Sequence, residues 1–268
     1  EYYRWLTEDN KIKIDTLIYD IGQSTSDSFE VEAFRRRISY LKLNNAFNIE
    51  ISYDSPITLY SAYDLQNRPS DEVIIKNFEA RDAFDEPGRL EKDFQAFLFG
   101  ESILRTSTGV VDYRLVYRRL ALLGFDFMNL ENNYKIIREL PTGVFNKAES
   151  AATRILPTYW IDIVAYNKYG ALAIIELKLN DSKLDVIAQL LDYALFTWCY
   201  KAQLISVIEN HVGKEFCSSK MATLPIACYM ANNYFHPRFD KVAKFYSPKN
   251  SVFNFEFKKI TIGDQKTI

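Results

Sequence analysis

Cysteine is scarce in this 268-residue chain, and the three present, Cys199, Cys217 and Cys228, form no C-x-x-C pair. An odd number without close spacing argues against a disulfide framework and fits a reducing compartment. Proline and glycine number only 8 and 9, so no long linker announces itself. No stretch reaches the roughly 18 consecutive apolar residues of a membrane span. The opening residues, Glu1 to Trp5, lack the apolar core of a signal peptide. The expectation is a soluble, cytoplasmic protein. Excess positive charge is missing too: the net charge of -2 gives no global attraction to nucleic acid, although a local basic channel would be invisible in that sum. G-x-S-x-G, P-loop and G-x-G-x-x-G motifs are absent, so serine hydrolase, nucleotidase and dinucleotide-binding readings have no support. His211 and His236 lack the i, i+4 partner of a zinc protease helix.

What is present is the material of a large core: 48% hydrophobic and 15% aromatic residues place the chain far from disorder. Apolar periodicity predicts a strand over 11–20, a helix over 30–46, a strand pair over 48–53 and 57–63 turned by Asp54-Ser55-Pro56, and a strand over 72–78. The polar segment 81–89, holding Pro87 and Gly88, is the best boundary, placed near residue 84. Leu90, Phe94, Phe97 and Leu98 then mark an amphipathic helix, and a second helix is expected over 113–123. Residues 159–166 and 171–179 are the strongest strand signals and read as a hairpin. One helix over 183–203, a buried strand over 224–230, a short helix over 238–245 and a strand over 252–260 complete the pattern. The short runs Arg35-Arg36-Arg37 and Arg118-Arg119 read first as solvated faces and secondarily as phosphate contacts.

The chemistry lies in the hairpin. Alternation puts Glu176 and Lys178 on one face of an otherwise apolar strand, Ile-Ile-Glu-Leu-Lys-Leu. Burying charge costs several kcal/mol unless a partner or metal compensates. Asp162, set among Trp160, Ile161, Ile163 and Val164, supplies the partner. With a three-residue loop, Lys168-Tyr169-Gly170, Asp162 lies opposite Glu176, with Cβ atoms about 5 Å apart. A two-residue loop would send Asp162 to the other face. Two carboxylates so close repel unless a cation sits between them, and a hard-oxygen site of this kind suits Mg²⁺ or Mn²⁺. An E-x-K triplet alone is commonplace on solvated strands; its apolar setting and the hairpin-spaced Asp162 give it weight.

Asp162, thirteen intervening residues, then Glu176-Leu177-Lys178 across a hairpin, with a helix before and a helix and strand after, resembles the PD-(D/E)XK nuclease superfamily. Ile161 stands where the motif's eponymous proline would be. Gln189 and Tyr193, at i and i+4 on the following helix, are similar to the Q-x-x-x-Y element of RecB-like and lambda-exonuclease-like members. Glu91 stands where many members place a further acidic metal ligand, with Asp93 and Glu101 as rivals. The resemblance covers residues 85–268 and implies an α/β, restriction-endonuclease-like mixed sheet flanked by helices. The residues before it, 1–84, carry no such resemblance and read as a small α+β domain, whose position and aromatic and arginine content suggest recognition or dimerisation. The resemblance further implies a Mg²⁺- or Mn²⁺-dependent DNA endonuclease, with Asp162, Glu176, Lys178, Gln189 and Tyr193 at the catalytic centre and Asp162, Glu176 and Glu91 as metal ligands. A homodimer would suit cutting both strands. The rival reading is an inactive nucleic-acid-binding or assembly protein on the same fold.

Overall fold

The computed structural model describes residues 16–20, 28–45, 48–53, 55–66, 73–76, 90–99, 119–125, 134–167, 172–212, 225–250 and 252–263. The boundary near residue 84 and the hairpin loop 168–170 lie outside the described residues.

The protein is mixed α/β. Strand β1 (Thr16–Asp20) leads through helix α1 (Ser28–Asn45) to β2 (Asn48–Tyr53), which pairs parallel to β1 and antiparallel to β3 (Ser55–Ile57). A helix must intervene because parallel neighbours need a long crossover. The expected turn Asp54-Ser55-Pro56 and strand over 57–63 are displaced: Ser55 and Pro56 already pair with β2 in β3, which ends at Ile57, and Ala62–Gln66 is a short helix, α2, started by Ser61, whose hydroxyl accepts the Asp64 N–H at 3.1 Å while Asp64 takes the Ser61 N–H at 3.0 Å. That reciprocal cap outweighs the β propensity of Tyr60 and Tyr63.

Strand β4 (Val73–Ile75) joins β6 (Val144–Asn146) and β7 (Arg154–Leu156) in an antiparallel sheet. Helix α3 (Leu90–Phe99) precedes the central sheet of β5 (Tyr134–Pro141), β8 (Trp160–Asn167), β9 (Leu172–Leu177), β10 (Ile226–Asn232) and β11 (Phe255–Thr261). Its order is β11-β10-β9-β8-β5, parallel from β9 to β11 and antiparallel across β8 and β5. Helices α4 (Asp185–Cys199) and α5 (Lys201–Val212) carry the chain from β9 to β10, and α6 (Phe239–Tyr246) from β10 to β11. The single helix expected over 183–203 is thus two, broken at Tyr200 (φ -109, ψ 26). Among the described residues no helix is long and apolar enough to cross a membrane.

Alternation along the central strands divides the core. Val164, Ile174, Cys228 and Met230 pack with Ile187, Leu190 and Ala194 of α4. Ile163, Ala173, Ile175 and Tyr229 pack with Phe94 and Leu98 of α3. Phe97 departs from the expected apolar stripe; it is 39% exposed and stacked by Arg119 at 4.5 Å. The first third shares the α4-side core through Ile38, Tyr40, Leu65 and Ile75. Tyr40 donates its hydroxyl to the Tyr246 carbonyl at 2.6 Å, and Asn44 donates to the Ser247 carbonyl at 2.8 Å. The arginine run is no solvated face: Arg36 is buried and Arg37 pairs with Asp192 of α4.

Candidate active site

The hairpin register is the one a three-residue loop demands, with Ile163 opposite Ile175 and Tyr166 opposite Leu172. One step further the ladder stops, and the Asp162 carboxylate replaces it, its Oδ2 accepting the Leu177 N–H at 2.7 Å. A second irregularity accompanies this one. Ile161 belongs to the α4-side core and Ile163 to the α3-side core, although residues two apart on a regular strand share a face. On the neighbouring strand Ile136 and Leu140 show the same inversion. Between the pairs Arg138–Ile163 and Leu140–Ile161 stands Glu139, whose φ of 52° is uncommon for a residue with a side chain. At the level of Asp162, then, β8 and β5 change face, while β9 and β10 keep theirs, Ile175 and Leu177 both lying on the α3 side.

From the α3 side, Gln95, 2% exposed, donates its Nε2 to Asp162 Oδ1 at 3.0 Å. Arg138 Nε donates in turn to Gln95 Oε1 at 3.1 Å. On the other flank Lys178 Nζ donates to Glu176 Oε1 at 2.6 Å and to the Leu177 carbonyl at 3.1 Å, and it stands 4.0 Å from Glu91 Oε2. The Lys178 backbone stays bonded to β10, its N–H donating to the Ala231 carbonyl at 3.0 Å, which keeps its side chain beside Glu176.

Glu176 is 1% exposed. Met230, its neighbour on β10, offers only a thioether side chain, and among the described residues Glu176 Oε2 is buried without a hydrogen-bond partner. Loss of hydration is the main reason that its carboxyl is pushed well above the usual range, with repulsion from Asp162 next and Lys178 working against both. Asp162 is raised to about 6, again chiefly by loss of hydration, and the nearby Lys178 and the Leu177 N–H oppose the shift. Burial pulls the Lys178 ammonium down, but Glu176, Asp162 and Glu91 together leave it above its ordinary value.

Glu91 stands at the edge of this cluster, 4.0 Å from Lys178 Nζ, and its charge helps to raise the Asp162 and Glu176 carboxyls; Asp93 is exposed, and Glu101 lies outside the described residues. Among the described residues no group of three His, Cys, Asp or Glu side chains converges as a metal cage. Gln189 Nε2 donates to the Tyr193 hydroxyl at 2.8 Å, which donates to the Trp160 carbonyl at 2.9 Å. The pair thus ties α4 to the start of β8, two residues before Asp162. Tyr193 is close enough that Glu176 and Asp162 help to hold its phenol protonated, after burial, the largest cause.

Gln95 and Arg138 were not singled out from the sequence. A signal existed for the first: Glu91 and Gln95 stand at i and i+4, hence on one face of α3, and Gln95 interrupts an apolar stripe. Arg138 lies in a strand whose alternation inverts at Glu139, which hides it from any period-2 pattern. Neither protein-family models nor curated proteins match this chain.

Proposed function

We propose that the chain is a Mg²⁺- or Mn²⁺-dependent nuclease of PD-(D/E)XK type, cutting DNA phosphodiesters as an endonuclease. The observation that carries the reading is Glu176 Oε2, an oxygen buried beside a second carboxylate and unpartnered among the described residues. A buried acceptor without a donor costs about 1–3 kcal/mol, more if charged, and a divalent cation shared with Asp162 would remove that cost together with the repulsion. Two carboxylates and a backbone carbonyl form a hard-oxygen donor set that fits Mg²⁺ or Mn²⁺. Asp162 and Glu176 would hold the ion, and Glu91, on the far side of Lys178, would have to move inward to join them. When bound, such an ion supplies Lewis acidity toward the phosphoryl oxygen and lowers the pKa of water.

The chain's own groups then divide the remaining work. Lys178, released from Glu176, holds the attacking water or the developing negative charge on phosphorus through its ammonium. Gln189 and Tyr193 fix the start of β8 and so the approach of Asp162. Residues 1–84 would serve DNA recognition or pairing into a homodimer, and the restriction-endonuclease-like core would span 85–268.

A second reading has its own support. The 2.6 Å contact between Lys178 and Glu176 neutralises the site internally, as suits a nucleic-acid-binding protein on the same fold that has lost catalysis. Purified protein with circular and linear DNA, under Mg²⁺, Mn²⁺ or EDTA, separates the two. Metal-dependent cutting of the circle, abolished by Lys178→Ala, supports the endonuclease; DNA binding without cutting under either metal supports the rival.

A further inference from the structure

We infer that Gln95 is a positioning residue for Asp162, its amide oriented by Arg138, and that it sets the affinity of the site for a divalent cation. The inference rests on the metal-dependent reading above. Gln95 lies beside Phe94 and one turn before Leu98, both in the apolar layer under the sheet, where a primary amide must find partners for both ends. A guanidinium only donates, so Arg138 Nε, at 3.1 Å, must face the amide oxygen. The amide nitrogen is thereby directed to Asp162 Oδ1, at 3.0 Å, and a flip would set donor against donor.

Asp162 is consequently gripped from two sides. The Leu177 N–H holds Oδ2 at 2.7 Å from β9, and Gln95 holds Oδ1 from α3. One donor on each oxygen fixes the carboxylate plane and leaves each oxygen a second lone pair for a cation. Since Asp162 stands where the strand changes face, backbone geometry alone does not aim it. Partners of this kind orient ligands, and losing one typically costs about 10–100-fold in metal affinity or activity.

The test compares full-length wild type with Gln95→Met, which removes the amide at similar volume, and Gln95→Glu, which keeps an acceptor for Arg138 but withdraws the donor from Asp162. Mn²⁺ affinity is measured by titration calorimetry, and kcat and KM by DNA cleavage. Both variants should bind Mn²⁺ about tenfold or more weakly and lose kcat in proportion, with KM for DNA nearly unchanged. Arg138→Leu, which frees the amide to flip, should fall between them and wild type. Should either substitution unfold the protein, exchange of the Gln95 side-chain amide protons in the wild type serves instead; slow exchange supports the clamp and fast exchange overturns it. Wild-type Mn²⁺ affinity in a folded Gln95→Glu variant would overturn the inference with the nuclease reading intact. Failure of that reading shows differently, as a wild type that neither binds Mn²⁺ nor cuts.

Discussion

Asp162 accepts the backbone N–H of Leu177 at 2.7 Å, so a side chain takes over where the ladder between β8 and β9 ends. The hydrogen bond holds a carboxylate next to Glu176, at the level where β8 and β5 change face. Two acids are thereby kept together in a site that neither would choose alone. The metal-free protein should bear a measurable cost.

Removing the Glu176 charge should stabilise the metal-free protein. Glu176→Gln is expected to raise the unfolding free energy in EDTA by about 1–3 kcal/mol, the usual cost of a buried group lacking its partner. Asp162→Asn should not, because one end of its amide would face the Leu177 N–H or the Gln95 amide nitrogen, donor against donor. Urea denaturation measures this. A loss of stability in Glu176→Gln would mean that the carboxylates are already compensated.

Divalent cations should reverse the order. Wild type should melt higher in Mg²⁺ or Mn²⁺ than in EDTA, by about 2.7 kcal/mol at a hundredfold excess over Kd. The double variant Asp162→Asn/Glu176→Gln should show no such gain. Equal gains in both proteins would place the stabilising ion elsewhere.

The pH dependence has a definite sign. Asp162 rises from 3.8 to about 6 on folding, and Glu176 rises well above 4.5. Over that range the folded protein binds more protons than the unfolded one, so stability falls as pH increases. Asp162 contributes fully below pH 3.8, and its contribution is lost as pH passes about 6; Glu176 carries the decline higher. In EDTA the chain should therefore resist urea better at pH 5 than at pH 8, and Glu176→Gln should flatten the slope. A stability that climbs across this interval in wild type and is unchanged in the variant would refute the assignment.

Docking of the first third onto α4 rests partly on Arg37, whose Nε donates to Asp192 Oδ1 at 2.9 Å. Burial pushes the Asp192 carboxyl up, and Arg37 restrains that rise. Arg37→Ala should cost about 2–3 kcal/mol, somewhat below the 3–5 of a fully buried pair because the guanidinium keeps some solvent contact. Arg37→Met with Asp192→Leu should recover most of it, by the same denaturation assay. Additive losses in the double variant would show the pair to be energetically independent.

Tyr193→Phe removes the hydroxyl that links Gln189 to the Trp160 carbonyl and should cost about 1–2 kcal/mol. Thermal unfolding provides the check, and a neutral effect would mean that water replaces the phenol without loss.

Much of this architecture is legible from spacing. The hairpin register followed from reading Lys168-Tyr169-Gly170 as a three-residue loop, because a strand's two-residue period leaves only two choices of face and a two-residue loop would have taken the other. Helices α1, α3 and α6 and strands β9 to β11 lie near their predicted positions because each buries one side or both against a single layer. Errors fall where a local interaction competes with the pattern: the Ser61–Asp64 cap turned an expected strand into a helix, and Tyr200 divides what reads as one continuous apolar helix.

The order of residues alone determined which acids are forced together, since Ile-Ile-Glu-Leu-Lys-Leu cannot bury a charge without a partner and the hairpin offers Asp162. Only the tertiary structure decided how that partner is aimed. Gln95 meets Asp162 across 67 residues of chain and Arg138 meets Gln95 across 43, at a level where β8 and β5 change face, and no one-dimensional period encodes such a change. The packing of α1 on α4 is equally invisible, because a short arginine run reads as solvated until the buried acid opposite it is known.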